Sequence, residues 1–332
     1  MPGPPKSAIP SAATNLSAPP DIRAALRKGI RQLRDAGVGS YTLAAELLLL
    51  HAIGRDRTWI YSHPEELLSE SHAQNYFALL ARRASGEPVQ YLTGKQEFWG
   101  LEFEVTPDVL IPRPETEHLI EVALDRLAVR EIRAGRQQTL SGAGLEVADI
   151  GTGSGCIAIA LATELPGAHF LATDISAAAL EVAKRNASRH HVQKYIEFSI
   201  RNLLAGNAPL GRELTAAGET PSRRTSPGIA PFDLVVSNPP YVGRNETETL
   251  EREVRDHEPE LALYGGQQGY ELYADLVAAA ARHLKPGGLL VLELGHNSLP
   301  AVEPLLDAPH WTAARVTNDL AGIARVIAAE RT

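Results

Sequence analysis

From Leu145 to the end of the chain, short apolar runs alternate with helical patterns, and that alternation leaves few folds open. Val147–Ile150, Phe170–Thr173, Phe232–Ser237 and Leu289–Leu294 read as strands. Cys156 to Leu165, Ala177 to Arg189 and Leu272 to Leu284 read as the helices between them. Such alternation predicts an α/β fold, a Rossmann-like parallel sheet covered by helices. The tail adds Ala314–Thr317 and Ala324–Ala328, an antiparallel pair at the sheet edge. Residues 205–230 are rich in Gly, Ala, Pro, Ser and Thr and lack periodicity. They read as a flexible surface insertion with no part in chemistry.

Upstream the pattern differs. Residues 1–19, rich in Pro, Ser and Ala without an apolar h-region, read as a disordered tail rather than a signal peptide. Ile22, Leu26, Ile30 and Leu33 then recur at helical spacing, followed by the block Leu43 to Leu50 and by Tyr76, Leu79 and Leu80, with interruptions at Gly54 and Pro64. This predicts a small all-helical domain over 20–88, with no catalytic constellation, that binds a partner or covers the second domain. The period changes to two between Gln90 and Pro112, where Phe98, Leu101, Phe103 and Val105 flank Gly100. A β-hairpin linker over 89–113 is expected. Helical spacing returns after Pro114 with Leu119, Ile120, Ala123, Leu124 and Leu127, opening a large domain over 114–332.

Composition excludes several classes. A chain of 332 residues, 44% hydrophobic and 22% charged, is globular and long enough for about two domains. A net charge of -8 argues against broad binding of a phosphate backbone, so no direct nucleic-acid partner is expected. The one cysteine, Cys156, sits in an apolar helix-like run, reads as core, and fits a reducing cytoplasm. No apolar stretch approaches the roughly 20 residues needed to span a bilayer. A cytoplasmic protein without membrane partners is expected. The eleven histidines show no metal-ligand spacing, and His190-His191 reads as a solvated helix end.

Two turns at strand ends carry the chemistry. Asp149-Ile150-Gly151-Thr152-Gly153-Ser154-Gly155 follows a strand and opens a helix. Its alternate glycines let backbone approach a ligand, and the helix start supplies N–H groups. Both a dinucleotide and S-adenosylmethionine fit this loop. The phosphate-binding spacing, however, requires a third glycine where Cys156 stands, and a P-loop lysine is missing. Asp174 ends the next strand, where an acid can accept both ribose hydroxyls; Asp174 or Ser176 also suits a helix N-cap. The second turn, Asn238-Pro239-Pro240-Tyr241, follows a buried strand. An Asn carbonyl beside a proline-locked carbonyl can accept both hydrogens of a planar NH2 while the tyrosine covers its face. The same residues also fit a plain Pro-Pro turn.

Together these residues resemble the HemK/PrmC family of protein-glutamine methyltransferases, from about Glu46 to the chain end. The resemblance is carried by Arg55 to Trp59, Gly86-Glu87-Pro88-Val89-Gln90-Tyr91, Glu97-Phe98-Trp99-Gly100, Ile111-Pro112-Arg113-Pro114-Glu115-Thr116-Glu117, Ser237 to Val242 and Glu253 to Pro259. It implies transfer of the methyl of S-adenosylmethionine to the glutamine side-chain nitrogen in the Gly-Gly-Gln motif of class-1 peptide chain release factors. By position it implies that Gly151, Thr152, Gly153, Ser154 and Gly155 line the cofactor, that Asp174 takes the ribose, and that Asn238, Pro239, Pro240 and Tyr241 hold the glutamine. Asn202-Leu203 stands where many members carry an acid and an aromatic near the adenine, so Asn202 is an adenine-side candidate that departs from the pattern. The internal Gly265-Gly266-Gln267 reads as a turn rather than a self-substrate.

In the expected mechanism the Asn238 side-chain carbonyl and the Pro239 backbone carbonyl accept the two amide hydrogens. Tyr241 packs on the amide plane, and no general base is evident. Phe98 or Phe103 is either a wall for the methyl end or hairpin core. Glu115 and Glu117 either pair with Arg113 and steady the active-site wall or compensate a helix N-terminus. The nearest rival is an amino methyltransferase acting on adenine or cytosine, which uses a similar clamp. A non-catalytic adenosine-binding scaffold is the reading from another class.

Overall fold

The computed structural model describes residues 19–133, 142–204, 231–307 and 309–332. The expected insertion at 205–230 and nearly all of the expected tail at 1–19 lie outside them. The chain divides into two compact units, with the boundary between Thr93 and Gly94.

The amino-terminal unit is helical. α1 (Ile22–Asp35), α2 (Tyr41–Ile53), α3 (Arg57–Ser62), α4 (Glu70–Ala84) and α5 (Val89–Thr93) bury one cluster that includes Ile22, Leu33, Leu48, Leu49, Tyr76 and Leu80. Capping side chains set the starts of α1, α3 and α4: Asp21 accepts from Ala24 N at 2.6 Å, Asp56 from Trp59 N at 2.7 Å and Ser69 from His72 N at 3.1 Å. Glycine at position 29 is required by packing. A Cβ there would lie 2.0 Å from the Tyr76 hydroxyl, so α1 and α4 close only over a bare backbone. Residues 89–93 are helical rather than the start of a hairpin. Tyr91 and Leu92 are buried on consecutive positions, which a half-exposed strand does not do.

The second unit opens with the hairpin β1 (Lys95–Phe98) and β2 (Leu101–Glu104), shorter than expected, paired Phe98 to Leu101. α6 (Glu117–Arg133) follows. Then come β3 (Glu146–Ile150), α7 (Cys156–Glu164), β4 (His169–Asp174), α8 (Ala177–Arg189), β5 (Ile196–Ile200) and β6 (Phe232–Ser237). Two very short strands, β7 (Val242–Gly243) and β8 (Tyr264–Gly266), bracket α9 (Arg252–His257) and α10 (Glu260–Leu263). α11 (Glu271–His283), β9 (Leu284–Glu293), β10 (Arg315–Asn318) and β11 (Ala324–Glu330) complete the fold.

The seven-stranded sheet runs β10-β11-β9-β6-β3-β4-β5. Neighbours from β9 to β5 are parallel; β11 is antiparallel to β9 and to β10, as expected for the tail. Sheet faces alternate as strand geometry requires. Leu234 and Val236 pack with Leu119, Ile120 and Ile157 on one side, whereas Val235 packs with Tyr273 and Leu276 on the other. All of β6 is buried, Asp233 and Ser237 included, as in a strand covered on both faces. Each such Val or Leu contributes roughly 1.5–3 kcal/mol. Lys285-Pro286-Gly287-Gly288 is an irregularity within β9: pairing jumps from Phe232–Leu284 to Leu234–Leu289. From β3 the chain moves outward to β4 and β5, then returns to β6 on the opposite side. The topological switch point therefore lies at the carboxyl ends of β3 and β6, where open α/β sheets bind ligands.

Candidate active site

Both chemistry-bearing turns meet at that switch point. After Ile150, Gly151 and Gly153 adopt positive φ of 73° and 53°, and a Cβ on either would meet nothing within 4 Å. Their bare sides face open space, so a ligand can lie against the backbone there. The loop is pinned from β4, whose Thr173 carbonyl accepts from Gly151 N at 2.8 Å and Thr152 N at 2.9 Å. Gly155 serves packing instead. At φ 84° a Cβ would lie 2.9 Å from Ile159 Cδ1 and 3.1 Å from Ala183 Cβ, between α7 and α8.

Asp149 is fully buried beneath the loop and accepts from Thr152 Oγ1 at 2.6 Å and Ala158 N at 3.2 Å. Burial pushes its carboxyl up to about 7 against those two donors. At the end of β4, Asp174 accepts from Gly153 N and Ser176 N, each at 2.9 Å. The helix cap itself is Ser176, which accepts from Ala179 N at 3.1 Å. Burial raises the Asp174 carboxyl, and the backbone donors of Ser176, Gly153 and Ile175 oppose it. Each of its oxygens keeps lone-pair capacity toward the cavity.

The second turn is joined to the first. Ser237 Oγ donates to Ile150 O at 2.7 Å. The next residue, Asn238, donates Nδ2 to Thr116 Oγ1 at 3.1 Å, which leaves its carbonyl oxygen for another donor. The turn rests on Gly265 and Gly269, where a Cβ would lie 2.2 Å from Pro240 O and 2.3 Å from Tyr241 O. Gly265-Gly266-Gln267-Gln268-Gly269 is thus a strand and bend folded onto the turn, and its glycines allow the close approach.

A single cavity of about 210 Å³ takes in both turns. Gly151, Thr152, Gly153, Ser154, Asp174, Asn202, Asn238, Pro239 and Pro240 all line it. Two expected residues do not. Gly155 lies in the helix packing described above, and Tyr241 turns away: its hydroxyl donates to Glu293 Oε1 at 3.3 Å and its ring lies against Gly295. Burial raises the Tyr241 phenol. Phe98 and Phe103 are hairpin core, edge to face at 6.1 Å. Glu117 accepts from Trp99 N at 2.8 Å and so anchors the hairpin turn. Arg113 lines the cavity but pairs with Glu258, whose second oxygen accepts from Ile111 N at 3.3 Å. Cys156 is buried, with its thiol pushed up to about 12 by burial, and sits at the cavity wall as an unreactive group. Of the expected solvated end His190-His191, His191 is exposed, whereas His190 is half-buried: its Nε2 lies 2.9 Å from Glu102 O and its ring packs on Phe103.

Several residues at the site carried no signal of their own in the sequence. Ile175, 43% exposed although large and apolar, lines the cavity beside Leu203, which was already placed on the adenine side and adopts a left-handed φ of 58°. Asn186 is buried and satisfied on every side: Nδ2 donates to Ser154 O and Glu104 O at 2.9 Å each, and Oδ1 accepts from Glu104 N at 2.7 Å. It ties the hairpin to the glycine loop. Its trace in the sequence is a polar residue on the apolar stripe Ala179, Val182, Ala183 and Ala187. Among the described residues no group of three or more His, Cys, Asp or Glu could hold a metal. Among them, too, no helix is long and apolar enough to cross a membrane.

Comparison with known proteins adds the family. The PrmC N-terminal domain profile matches residues 24–94, and the Methyltransferase small domain profile matches residues 137–210. The chain is 40% identical to the release factor glutamine methyltransferase of Koribacter versatilis, across 92% of this chain and 97% of that one. It is 41% identical to the protein of the same name from Burkholderia pseudomallei, across 85% and 90% respectively. For the one from Bradyrhizobium diazoefficiens the identity is 38%, across 93% and 95%.

Proposed function

The chain belongs to the release factor glutamine methyltransferases, and we propose that it methylates the side-chain nitrogen of the glutamine in the Gly-Gly-Gln loop of class-1 release factors. The observation that carries this reading is the shared cavity, with the glycine loop on one wall and Asn238, Pro239 and Pro240 on the other.

The residues present fit S-adenosylmethionine. Gly151 and Gly153 turn bare backbone to the cavity, the Asp174 carboxylate suits the two ribose hydroxyls, and Ile175 and Leu203 offer apolar faces to an adenine. Asn202 supplies an amide where an acid is common in the family. When bound, the cofactor supplies a methyl group already activated by a sulfonium.

The protein's work is then placement. An amide nitrogen is a poor nucleophile, because its lone pair is delocalised into the carbonyl. With Nδ2 tied to Thr116, Asn238 turns Oδ1 to the cavity, where it accepts one hydrogen of the substrate NH2. The Pro239 carbonyl accepts the other. Two fixed acceptors orient the nitrogen and stabilise the positive charge that develops on it, and orientation of this kind contributes roughly 7–11 kcal/mol in favourable cases. The proton released afterwards goes to water. The role expected for the Tyr241 ring passes to its hydroxyl, which holds Glu293 behind the turn.

Incubation of the purified protein with labelled cofactor and either a release factor or nucleic acid tests the reading. Label is expected on the release factor alone. Label on adenine or cytosine would contradict it, and the net charge of -8 favours the protein substrate.

A further inference from the structure

Behind the substrate turn lies a buried carboxylate for which placement of the substrate gives no direct role. Glu293 ends β9 and is 1% exposed. The hydroxyls of Tyr241, at 3.3 Å from Oε1, and of Thr116 are the donors that favour its ionised form, while Oε2 is buried without a hydrogen-bond partner among the described residues. Thr116 is itself buried, and its Oγ1 is the atom that receives Asn238 Nδ2 at 3.1 Å. One hydroxyl thus stands between a carboxylate and the amide that faces the substrate.

We propose that Glu293 is a positioning residue for methyl transfer, acting through Thr116 to fix which end of the Asn238 amide faces the substrate. The proposal rests on the reading that Asn238 Oδ1 accepts a hydrogen from the substrate amide. A hydroxyl has one hydrogen to give. While Glu293 is ionised it can only accept, so it draws the Thr116 hydrogen. Thr116 Oγ1 then offers lone pairs alone to Asn238. The amide answers with Nδ2, and Oδ1 is left toward the cavity. If Glu293 carries a proton it can donate to Thr116 Oγ1, which frees the Thr116 hydrogen for Asn238 Oδ1. The Asn238 amide then turns over and presents NH2 to the substrate NH2, donor against donor. The relay transfers hydrogen-bond polarity rather than a proton.

The position of the carboxylate makes this sensitive to pH. Burial pushes Glu293 up to about 7, with Glu115 adding to the rise and Thr116, Tyr241 and Arg325 opposing it. The groups that face it come from every side of its pocket. Glu115 and Thr116 precede α6, Cys156 lies on α7, and Tyr241 follows β6. The Tyr273 hydroxyl on α11 donates to Glu293 O at 2.8 Å, and Arg325 of β11 is itself held by Asp319 at 2.8 Å. Glu293 is deprotonated above its folded value, so the productive amide orientation is favoured on the alkaline side and lost as pH falls through about 7.

The test compares Glu293→Gln, Thr116→Val and Thr116→Ser with the parent chain. It reads kcat and KM for a release factor across neutral pH, cofactor affinity by calorimetry, and affinity for a Gly-Gly-Gln peptide in the presence of the demethylated cofactor. Glu293→Gln and Thr116→Val are expected to lower kcat by about a hundredfold, the scale of a misplacement near an ångström. Both should lose the neutral step in kcat and in peptide affinity while binding the cofactor as the parent does. Thr116→Ser keeps the hydroxyl and is expected to restore both readouts. Combining Glu293→Gln with Thr116→Val should cost no more than Thr116→Val alone, because both break one chain. Parental kcat and an unchanged pH step in folded Glu293→Gln would overturn the relay. Should Glu293→Gln fail to fold, equal loss in Thr116→Ser and Thr116→Val would overturn it as well. Failure of the underlying reading looks different: Asn238→Ala would then keep its turnover.

Discussion

Ser237 Oγ donates to Ile150 O at 2.7 Å, one residue ahead of each of the two turns that form the cavity. β6 and β3 are parallel neighbours at the switch point, and this bond fastens their carboxyl ends where backbone pairing has stopped at Asp149–Val236. The spacing of the glycine loop from the proline turn is thereby set by a side chain. Replacing Ser237 with Ala is expected to lower stability by about 1 kcal/mol and to raise the KM for release factor more than it weakens the cofactor. Urea denaturation and steady-state kinetics measure the two effects.

Asn186 has a larger structural burden. Replacing it with Leu removes three hydrogen bonds and leaves Glu104 N and Ser154 O unpaired in the interior. A loss on the order of 3 kcal/mol is expected, read from the urea midpoint, together with weaker cofactor binding because Ser154 belongs to the loop. A stability change near zero would contradict the tie between hairpin and loop.

Asp174→Ala separates binding from chemistry. The carboxylate accepts from Gly153 N and Ser176 N and faces the cavity. Its removal is expected to weaken the cofactor by about tenfold to a hundredfold, with kcat at saturating cofactor changed little, by calorimetry and kinetics. A fall in kcat at constant affinity would contradict the ribose role.

Much of this was legible in the sequence, for identifiable reasons. Phe170–Ala172 of β4, Leu234–Val236 of β6 and Leu289–Leu292 of β9 are short apolar runs, and β3 keeps Val147, Ala148 and Ile150 around a buried Asp149; strands buried on both faces leave that mark. β5 left none: at the sheet edge only Ile196 is buried, while Glu197 and Ser199 interrupt the run. The same logic explains the overextended hairpin at 89–93, where a single helical turn is too short to show a 3.6-residue period. At the site, the residues named in advance sit on local turns whose chemistry is readable one after another. Thr116, Asn186 and Glu293 act through partners far along the chain, 122 residues away in the case of Thr116 and Asn238. Tyr241 shows the converse. Its place in the motif was plain, but its direction depended on Glu293 and Gly295.

Two buried carboxyls also predict how stability varies with pH. Asp149 and Glu293 are each raised to about 7 in the folded chain, so folded protein holds their protons more tightly than unfolded protein does. Their contribution is therefore most favourable below their unfolded values and declines as pH rises through about 7. For Glu293 the full difference is on the order of 3 kcal/mol. Chemical denaturation at acidic and alkaline pH is expected to show a shallower alkaline decline for Glu293→Gln than for the parent chain. Parallel pH curves for the two would contradict it.

The central claim is that Asn238 and Pro239 hold a glutamine NH2 for methyl transfer. Its most direct test is mass spectrometry of the Gly-Gly-Gln peptide from a release factor incubated with cofactor and either the parent protein or Asn238→Ala. Single methylation at the glutamine side chain is expected from the parent. Asn238→Ala should show roughly a hundredfold slower reaction or less product still, at parental cofactor affinity. A methyl group on any other residue, or an Asn238→Ala variant that loses cofactor binding as fully as it loses turnover, would contradict the account.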